Sequence, residues 1–523
     1  MRHTAATMRR ALLALVVASC AMSLAACSKK AEPPAPAGIA WVQAAGDAEV
    51  DAAFARAKAE GKPVFVYWGA KWCPPCNQLK ATLFNRQDFI ERSRAFVPVY
   101  VDGDQAGAQK LGTRFAVRGY PTTIVFTREG RELTRLPGEV DAAQYNEVLA
   151  LALAAQRPAK ELLAAARTAG QGQGQGLADA DWRLLAWYSW ETDQQQLVGE
   201  HGLPALLREL AKACPASSAD AAMRLRLKAL AAEGAKGVVA DAAAQRPAVA
   251  ALLADAAQAR RHVDVLTGNP KEIVAALAVA DSPERAPLVS AYDAALAALQ
   301  ADATLSRADR LTALVARVQI DPKERLPALQ AEARELAARF DREISDGYER
   351  QAVITTAAWM LEEAGALDDA KALLEANLAK SHSPYYLMSE LAANAKKRGD
   401  TAAALDWSAQ AFEKSEGAAT RLQWGAAYLR ALVELAPQDA ARIEALAARI
   451  IDEAAAQPDA FEARSARSMQ RVGKLLRDWD PLGERAAVLQ RLQRRLDAVC
   501  ARLPAGGEAR GVCEGALKPG AAA

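Results

Sequence analysis

The feature that most constrains this chain is Cys73-Pro74-Pro75-Cys76, set between a short apolar run and a helical pattern. Val64, Phe65, Val66, Tyr67 and Trp68 are all β-branched or aromatic, a run suited to a buried strand and too short for a helix. A turn is expected at Gly69. Asn77, Gln78, Leu79, Lys80, Ala81 and Leu83 then continue as a helix whose first turn carries both cysteines. That spacing puts the two sulfurs on one face of a single turn, within bonding reach of each other. A thiol at a helix N-terminus meets unpaired N-H groups and the positive end of the macrodipole, both of which favour the thiolate. Cys73 therefore reads as the nucleophile, and Cys76 as the resolving thiol that attacks a mixed disulfide from within the protein. Pro74 withdraws one N-H from that turn, which argues against an extreme oxidant.

A cysteine pair has two other common uses, a zinc site and a structural disulfide. A zinc site needs a second pair of Cys or His at matching spacing, and His3, His201, His262, His382 and the other cysteines are scattered, so no metal is expected. A purely structural disulfide closing so short a loop would stabilise little. No nucleotide or flavin motif is present, and no cofactor is expected.

Trp72-Cys73-Pro74-Pro75-Cys76 after a strand, with Gly119-Tyr120-Pro121-Thr122 further on, resembles the thioredoxin superfamily. The likeness is greatest to its periplasmic branch, through Thr82-Leu83-Phe84 and the strand pattern from Phe96 to Asp102. The resemblance implies an α/β domain, a mixed sheet flanked by helices, over residues 41–156. It also implies thiol-disulfide exchange with protein thiols, a cis-proline at Pro121 packed against the redox turn, and a substrate edge shaped by Trp72, Pro74, Pro75, Tyr120 and Pro121. One position departs from the family: a buried Asp is common where Tyr67 stands, so a carboxylate that takes the resolving thiol's proton is missing. Local patterns agree with such a domain. Asp47 to Glu60 reads as an amphipathic helix stopped by Gly61, and Phe96 to Val101 as a strand. Gln105 to Phe115 reads as a helix, Thr122–Thr127 and Glu132–Leu136 as a hairpin, and Asp141 to Ala155 as a closing helix.

The first 26 residues read as a signal peptide, with Arg2, Arg9 and Arg10 ahead of an apolar stretch from Ala11 to Met22 and no acid. Leu24-Ala25-Ala26-Cys27 resembles a bacterial lipobox, which implies cleavage before Cys27 and its lipidation. Ser28 after that cysteine fits, by the family rule, the outer rather than the inner membrane. Loss of three arginines changes 65 basic against 63 acidic residues to 62 against 63, so the remaining chain is near neutral. With no basic patch, nucleic acid is not an expected partner. Residues 27–40, with Pro33, Pro34 and Pro36, read as an extended tether. Beyond the cytoplasmic membrane a disulfide persists, and a dithiol needs a redox partner to stay reduced.

Past Gln156 strand signals vanish, and Ala, Leu, Glu and Arg recur at helical spacing over residues 157–502. Gly170 to Gly176 reads as a flexible loop. Gly365 with Ala370, and Gly399 with Ala404, repeat one pattern that is similar to tetratricopeptide repeats, with unspecific stacking of helical hairpins as the alternative. Trp187 and Trp190 are expected to share one helix face, as core or as the wall of a peptide groove. Residues 503–523 read as a tail that a Cys500–Cys513 disulfide could staple to the last helix.

The reading is an exported, lipid-anchored thiol-disulfide oxidoreductase with a helical-repeat region for partner binding. A scaffold lipoprotein, in which the thioredoxin-like part is mainly a docking element, stands beside it.

Overall fold

The computed structural model describes residues 38–138, 141–170, 176–193, 196–199, 202–320, 325–480 and 482–518. The expected signal peptide, Cys27, most of the tether and most of the Gly-Gln stretch lie outside them. From Trp41 onward the chain is one compact unit.

The first part of that unit is built on five strands. They are β1 (Val42–Ala44), β2 (Val64–Gly69), β3 (Val97–Asp102), β4 (Thr122–Phe126) and β5 (Glu132–Leu136), in the order β1-β3-β2-β4-β5. β3 runs parallel to β1 and β2, whereas β4 is antiparallel to β2 and β5. Helices α1 (Asp47–Glu60), α2 (Pro74–Thr82), α3 (Gln87–Arg92), α4 (Ala108–Arg114) and α5 (Ala142–Ala154) flank the sheet. Every residue of β2 is buried, as expected of a central strand with both faces covered. Val64, Val66 and Trp68 join Val97, Val99, Val101, Leu111 and Val50 in one core cluster. Phe65 and Tyr67 alternate to the other face, where their rings meet Trp41, Phe84 and Phe89.

Two elements, β1 and α3, have no counterpart in the sequence pattern, and α4 starts later than its pattern does. α4 starts at Ala108 instead of Gln105, because the chain first turns through Gln105 N-H to Asp102 O at 3.0 Å and then through Gly107 at φ 89°. A left-handed glycine cannot continue a helix backwards.

After α5 every described regular element is helical, from Ala159–Gly170 to Glu508–Gly515. The expected repeat falls on two consecutive pairs, Gly347–Glu363 with Leu367–Asn377 and Pro384–Lys397 with Thr401–Lys414. Each first helix ends alike. Gly365 and Gly399 sit at φ 79° and 78°, and the residue after each donates back five positions, Ala366 N to Leu361 O at 2.8 Å and Asp400 N to Ala395 O at 2.9 Å. Ala370 and Ala404 are buried where the second helix packs.

The tryptophan expectation needs correcting. Helix Asp179–Ala186 stops before Trp187, and Trp190 lies in a short 3-10 turn, so the two do not share a helix face. Trp182, Trp187, Tyr188 and Trp190 are all buried, and the Arg224 guanidinium lies 3.3 Å from the Trp187 ring centre. The expected tail is also ordered differently. It holds the helix Glu508–Gly515, with Cys513 bonded to Cys500 across a Cα separation of 5.6 Å.

Candidate active site

Cys73 is the N-cap of α2, with Pro74 and Pro75 in the first turn, and its sulfur accepts the Cys76 N-H at 3.2 Å. The missing Pro74 donor therefore leaves the Cys76 amide as the donor seen at this sulfur. Cys73 and Cys76 form a disulfide with a Cα separation of 5.2 Å. Asn77 is fully buried and ties the turn down, since its side-chain amide donates at 2.8 Å to both Lys71 O and Cys73 O. The Tyr120-Pro121 peptide bond is cis, and Pro121 opens the loop into β4. Gln109 holds that loop, donating to Gly103 O at 2.6 Å and to Tyr120 Oη at 2.9 Å.

Tyr67 occupies the place of the missing carboxylate. It is buried, stacks on Tyr100 with ring centres 5.3 Å apart, and its hydroxyl has no hydrogen-bond partner among the described residues. Burial raises its pKa well above the ordinary tyrosine value, so it stays protonated and takes no proton from a thiol near neutral pH.

The larger surprise is what covers the site. The resemblance implies a substrate edge beside the redox turn, yet Cys73 is 2% exposed and Cys76 0%. The helical region lies over the redox turn. Trp72 donates from Nε1 to Thr420 Oγ1 at 2.6 Å, stacks on Tyr386 at 5.7 Å, and meets the Trp424 ring at 5.0 Å. Gln351 donates to Trp72 O at 3.3 Å, and His382 Nε2 lies 3.1 Å from Lys71 O. The Arg464 guanidinium lies 5.0 Å from the Trp72 ring and 4.6 Å from the Tyr120 ring, a bridge between the two motifs of the site. Asp104 accepts from both the N-H and the hydroxyl of Thr420, at 2.9 and 2.8 Å. Burial pushes the Asp104 carboxyl up to about 6 against the pull of those bonds. None of these partners carried a local sequence signal, because an aromatic or Thr on a helical-region helix reads as core until the packing is known.

Two cavities open beside the turn. One, of about 500 Å³, is lined by Pro74, Pro75 and Gln78 together with helical-region residues that include Thr356, Glu390 and Lys397. The other, of about 450 Å³, is lined by Tyr120 and Pro121 and by Ala232, Asn269 and others. Asp264 and Gly268 belong to both walls. Burial raises the Glu390 carboxyl to about 7, helped by nearby Glu362 and opposed by Lys397. Among the described residues no group of three or more His, Cys, Asp or Glu converges as metal ligands would.

Comparison with known proteins places this site in a family: residues 50–153 match the family model of the thioredoxin-like domain. The chain carries a thioredoxin-like domain. Over 125 residues it is 34% identical to the thiol:disulfide interchange protein DsbD 2 of Pseudomonas aeruginosa, covering 23% of this chain and 21% of that protein. Over 94 residues it is 34% identical to the thiol:disulfide interchange protein DsbD of Yersinia pestis, covering 17% of this chain and 16% of that protein. The chain thus spans about a fifth of the length of the curated relatives it matches. A solved structure titled DsbH Oxidoreductase is 22% identical, covering 26% of this chain and 99% of that one, with a TM-score of 0.20. Within the thioredoxin-like domain the matched stretch holds the Cys73–Cys76 turn, the cis-proline loop and all of β2 to β5.

Proposed function

We propose that this protein is an exported thiol-disulfide oxidoreductase that exchanges disulfides with cysteines of other polypeptides through Cys73 and Cys76. The observation that carries the reading is the Cys73–Cys76 disulfide at the N-terminus of α2, inside a thioredoxin-like domain and beside a cis-proline loop. An incoming thiolate attacks Cys73 Sγ, the Cys73–Cys76 bond breaks, and Cys76 leaves as the thiolate; in the opposite direction Cys76 resolves the mixed disulfide. Trp72, Pro74, Pro75, Tyr120 and Pro121 shape the edge that receives the partner, and the helical region binds it. The relatives named as thiol:disulfide interchange proteins support this chemistry for the domain. Lipidation of Cys27, anchoring at the envelope membrane and a tetratricopeptide-like relation of the helical pairs belong to the same proposal, and rest on the lipobox resemblance and on the repeated glycine turns. Cys27→Ala should abolish membrane association, and mass spectrometry finding an unmodified mature N-terminus would remove the anchor.

The burial of both cysteines beneath the helical region favours one second reading, a scaffold whose thioredoxin-like part is a docking element. Trapping separates the two. Cys76→Ser should leave a partner covalently held on Cys73, because the resolving step is gone, whereas Cys73→Ser should hold almost none. Equal trapping by both variants, or none by either, would favour the scaffold.

A further inference from the structure

Beside the redox turn the fold gathers arginines that stand far apart in the sequence. The helix Ala463–Trp479 carries Arg464, Arg467 and Arg471 at spacings of three and four residues, so they share one face. Arg464 lies over the rings of Trp72 and Tyr120, at 5.0 and 4.6 Å. Arg467 donates at 2.7 Å to the carbonyl oxygen of Arg118, where the chain enters the cis-proline loop. Arg430, on the adjacent helix Ala418–Leu435, stands beside Arg471. Arg118, Arg430 and Arg471 are exposed, so the strip leads from open surface towards the turn, and its outer end is reached without moving the cover.

These arginines lack counter-charge. On nearby helices Arg421, Arg449, Arg491 and Arg495 each face a glutamate or aspartate. Among the described residues no carboxylate forms an ion pair with Arg118, Arg430, Arg464, Arg467 or Arg471. Asp104 acts on Arg464 but is bonded twice to Thr420. Burial, then the charges of Arg464, Arg118 and Arg471, hold the Arg467 guanidinium below the ordinary arginine value against the pull of Tyr120; burial and Arg430 do the same to Arg471. All stay charged, so the strip carries a like-charge repulsion that bound anions relieve. With 65 basic against 63 acidic residues in the chain, that concentration is local and not a reflection of overall charge. A guanidinium takes a carboxylate through two parallel bonds, and a row of them matches several carboxylates along one extended segment.

We propose that Arg118, Arg430, Arg467 and Arg471 form a docking strip for an acidic segment of the partner polypeptide, which holds that partner beside the redox turn. This rests on the exchange reading above for what the partner is. A polypeptide fits because the strip is continuous with the cis-proline loop and, through Arg464, with Trp72.

Binding of a labelled, unstructured peptide rich in Asp and Glu and free of cysteine tests docking apart from exchange. By fluorescence anisotropy with the full chain, it should bind roughly tenfold or more tighter than the same peptide with Asn and Gln in place of the acids, and should weaken as salt is raised. Arg430→Gln with Arg471→Gln should remove most of that preference; both side chains are exposed and make no hydrogen bond among the described residues, so the fold does not depend on them. Lys236→Gln with Arg342→Gln, an equal loss of charge at exposed positions elsewhere, should leave it unchanged. Equal binding of the two peptides, or equal losses in the two double variants, would overturn the strip. So would strip-dependent binding to phosphatidylglycerol vesicles with none to the peptide, which would make it a lipid contact. Reduction of Cys73–Cys76 by dithiothreitol, read by quenched alkylation, checks the exchange reading separately. A pair that is reduced in a chain that ignores the acidic peptide overturns docking alone, and a pair that no thiol reduces overturns the exchange on which the partner's identity rests.

Discussion

Asp104 shows at the residue scale how covering the site changes its chemistry. The carboxylate sits in the loop after β3 and holds Thr420 by two bonds, yet burial lifts its pKa from 3.8 to about 6. The sign follows from which state keeps the proton. Below about pH 4 the folded and unfolded chains both hold it. Between 4 and 6 the folded chain still binds a proton that the unfolded chain has lost, so stability falls as pH rises through this window and levels off above it. The loss is about 2 to 3 kcal/mol at most. Asp104→Asn should remove that slope while adding a constant cost from the lost acceptor, so denaturation of both proteins at pH 4 and at pH 7 reads it directly. Parallel pH dependence in the two would show that Asp104 does not titrate there. Tyr67 predicts the kinetic counterpart. With no carboxylate beside the resolving thiol, Cys76 should resolve mixed disulfides slowly near neutral pH and faster towards about 8.5, the free-thiol reference, and stopped-flow decay of a Cys73 mixed disulfide across pH 6 to 9 measures it.

Among the elements, the thioredoxin-like domain was legible wherever one residue type fixes a local geometry. The run from Val64 to Trp68 gave β2, the cysteine pair gave the first turn of α2, and Gly61 closed α1 at φ 68°. β1 leaves no mark in the sequence because three residues show no alternation, and α3 none because six show no period. The tryptophan cluster departs from its pattern for a related reason: helical spacing runs on past Ala186 in the sequence, but the chain leaves the helix there to pack Trp187 under Arg224. The repeated glycines fared better, since a left-handed residue is a local demand. Gly365→Ala or Gly399→Ala should each cost about 1 kcal/mol, measurable as a lowered denaturation midpoint, because Ala must adopt φ near 79° or 78°. The Cys500–Cys513 bridge fastens Glu508–Gly515 to the preceding helix, and both sulfurs lie in buried residues. Replacing both by Ser should cost about 3 kcal/mol by the loop-entropy relation, read in the same denaturation experiment. An unchanged midpoint would mean that the tail contributes nothing to the body.

On the scale of the whole molecule, the helical region follows the thioredoxin-like domain around the side that carries Cys73 and Cys76, which no sequence pattern could announce. Arg260 O meets Gln144 of α5 at 2.8 Å, and Ser306 and Asp309 meet Gln78 of α2 at 3.2 and 2.9 Å. Glu416 and Thr420 take Lys71 and Trp72, and Asp459 accepts from the Gln109 N-H of α4 at 2.8 Å. These contacts are spread over a long stretch of chain, so no single one holds the cover, but Thr420 is where two of them meet. Its hydroxyl accepts from Trp72 and donates to Asp104. Thr420→Val keeps the shape and leaves the indole N-H and one carboxylate oxygen without a partner, a penalty of about 1 to 3 kcal/mol. If the cover opens as a unit, that penalty falls on the closed state alone, and the open population rises about tenfold for each 1.4 kcal/mol. Thr420→Val should therefore speed reduction of Cys73–Cys76 by a folded-protein thiol by roughly tenfold. An unchanged folded-protein rate in a variant whose thermal midpoint has dropped would mean that the helical region is a fixed part of the site and never leaves it.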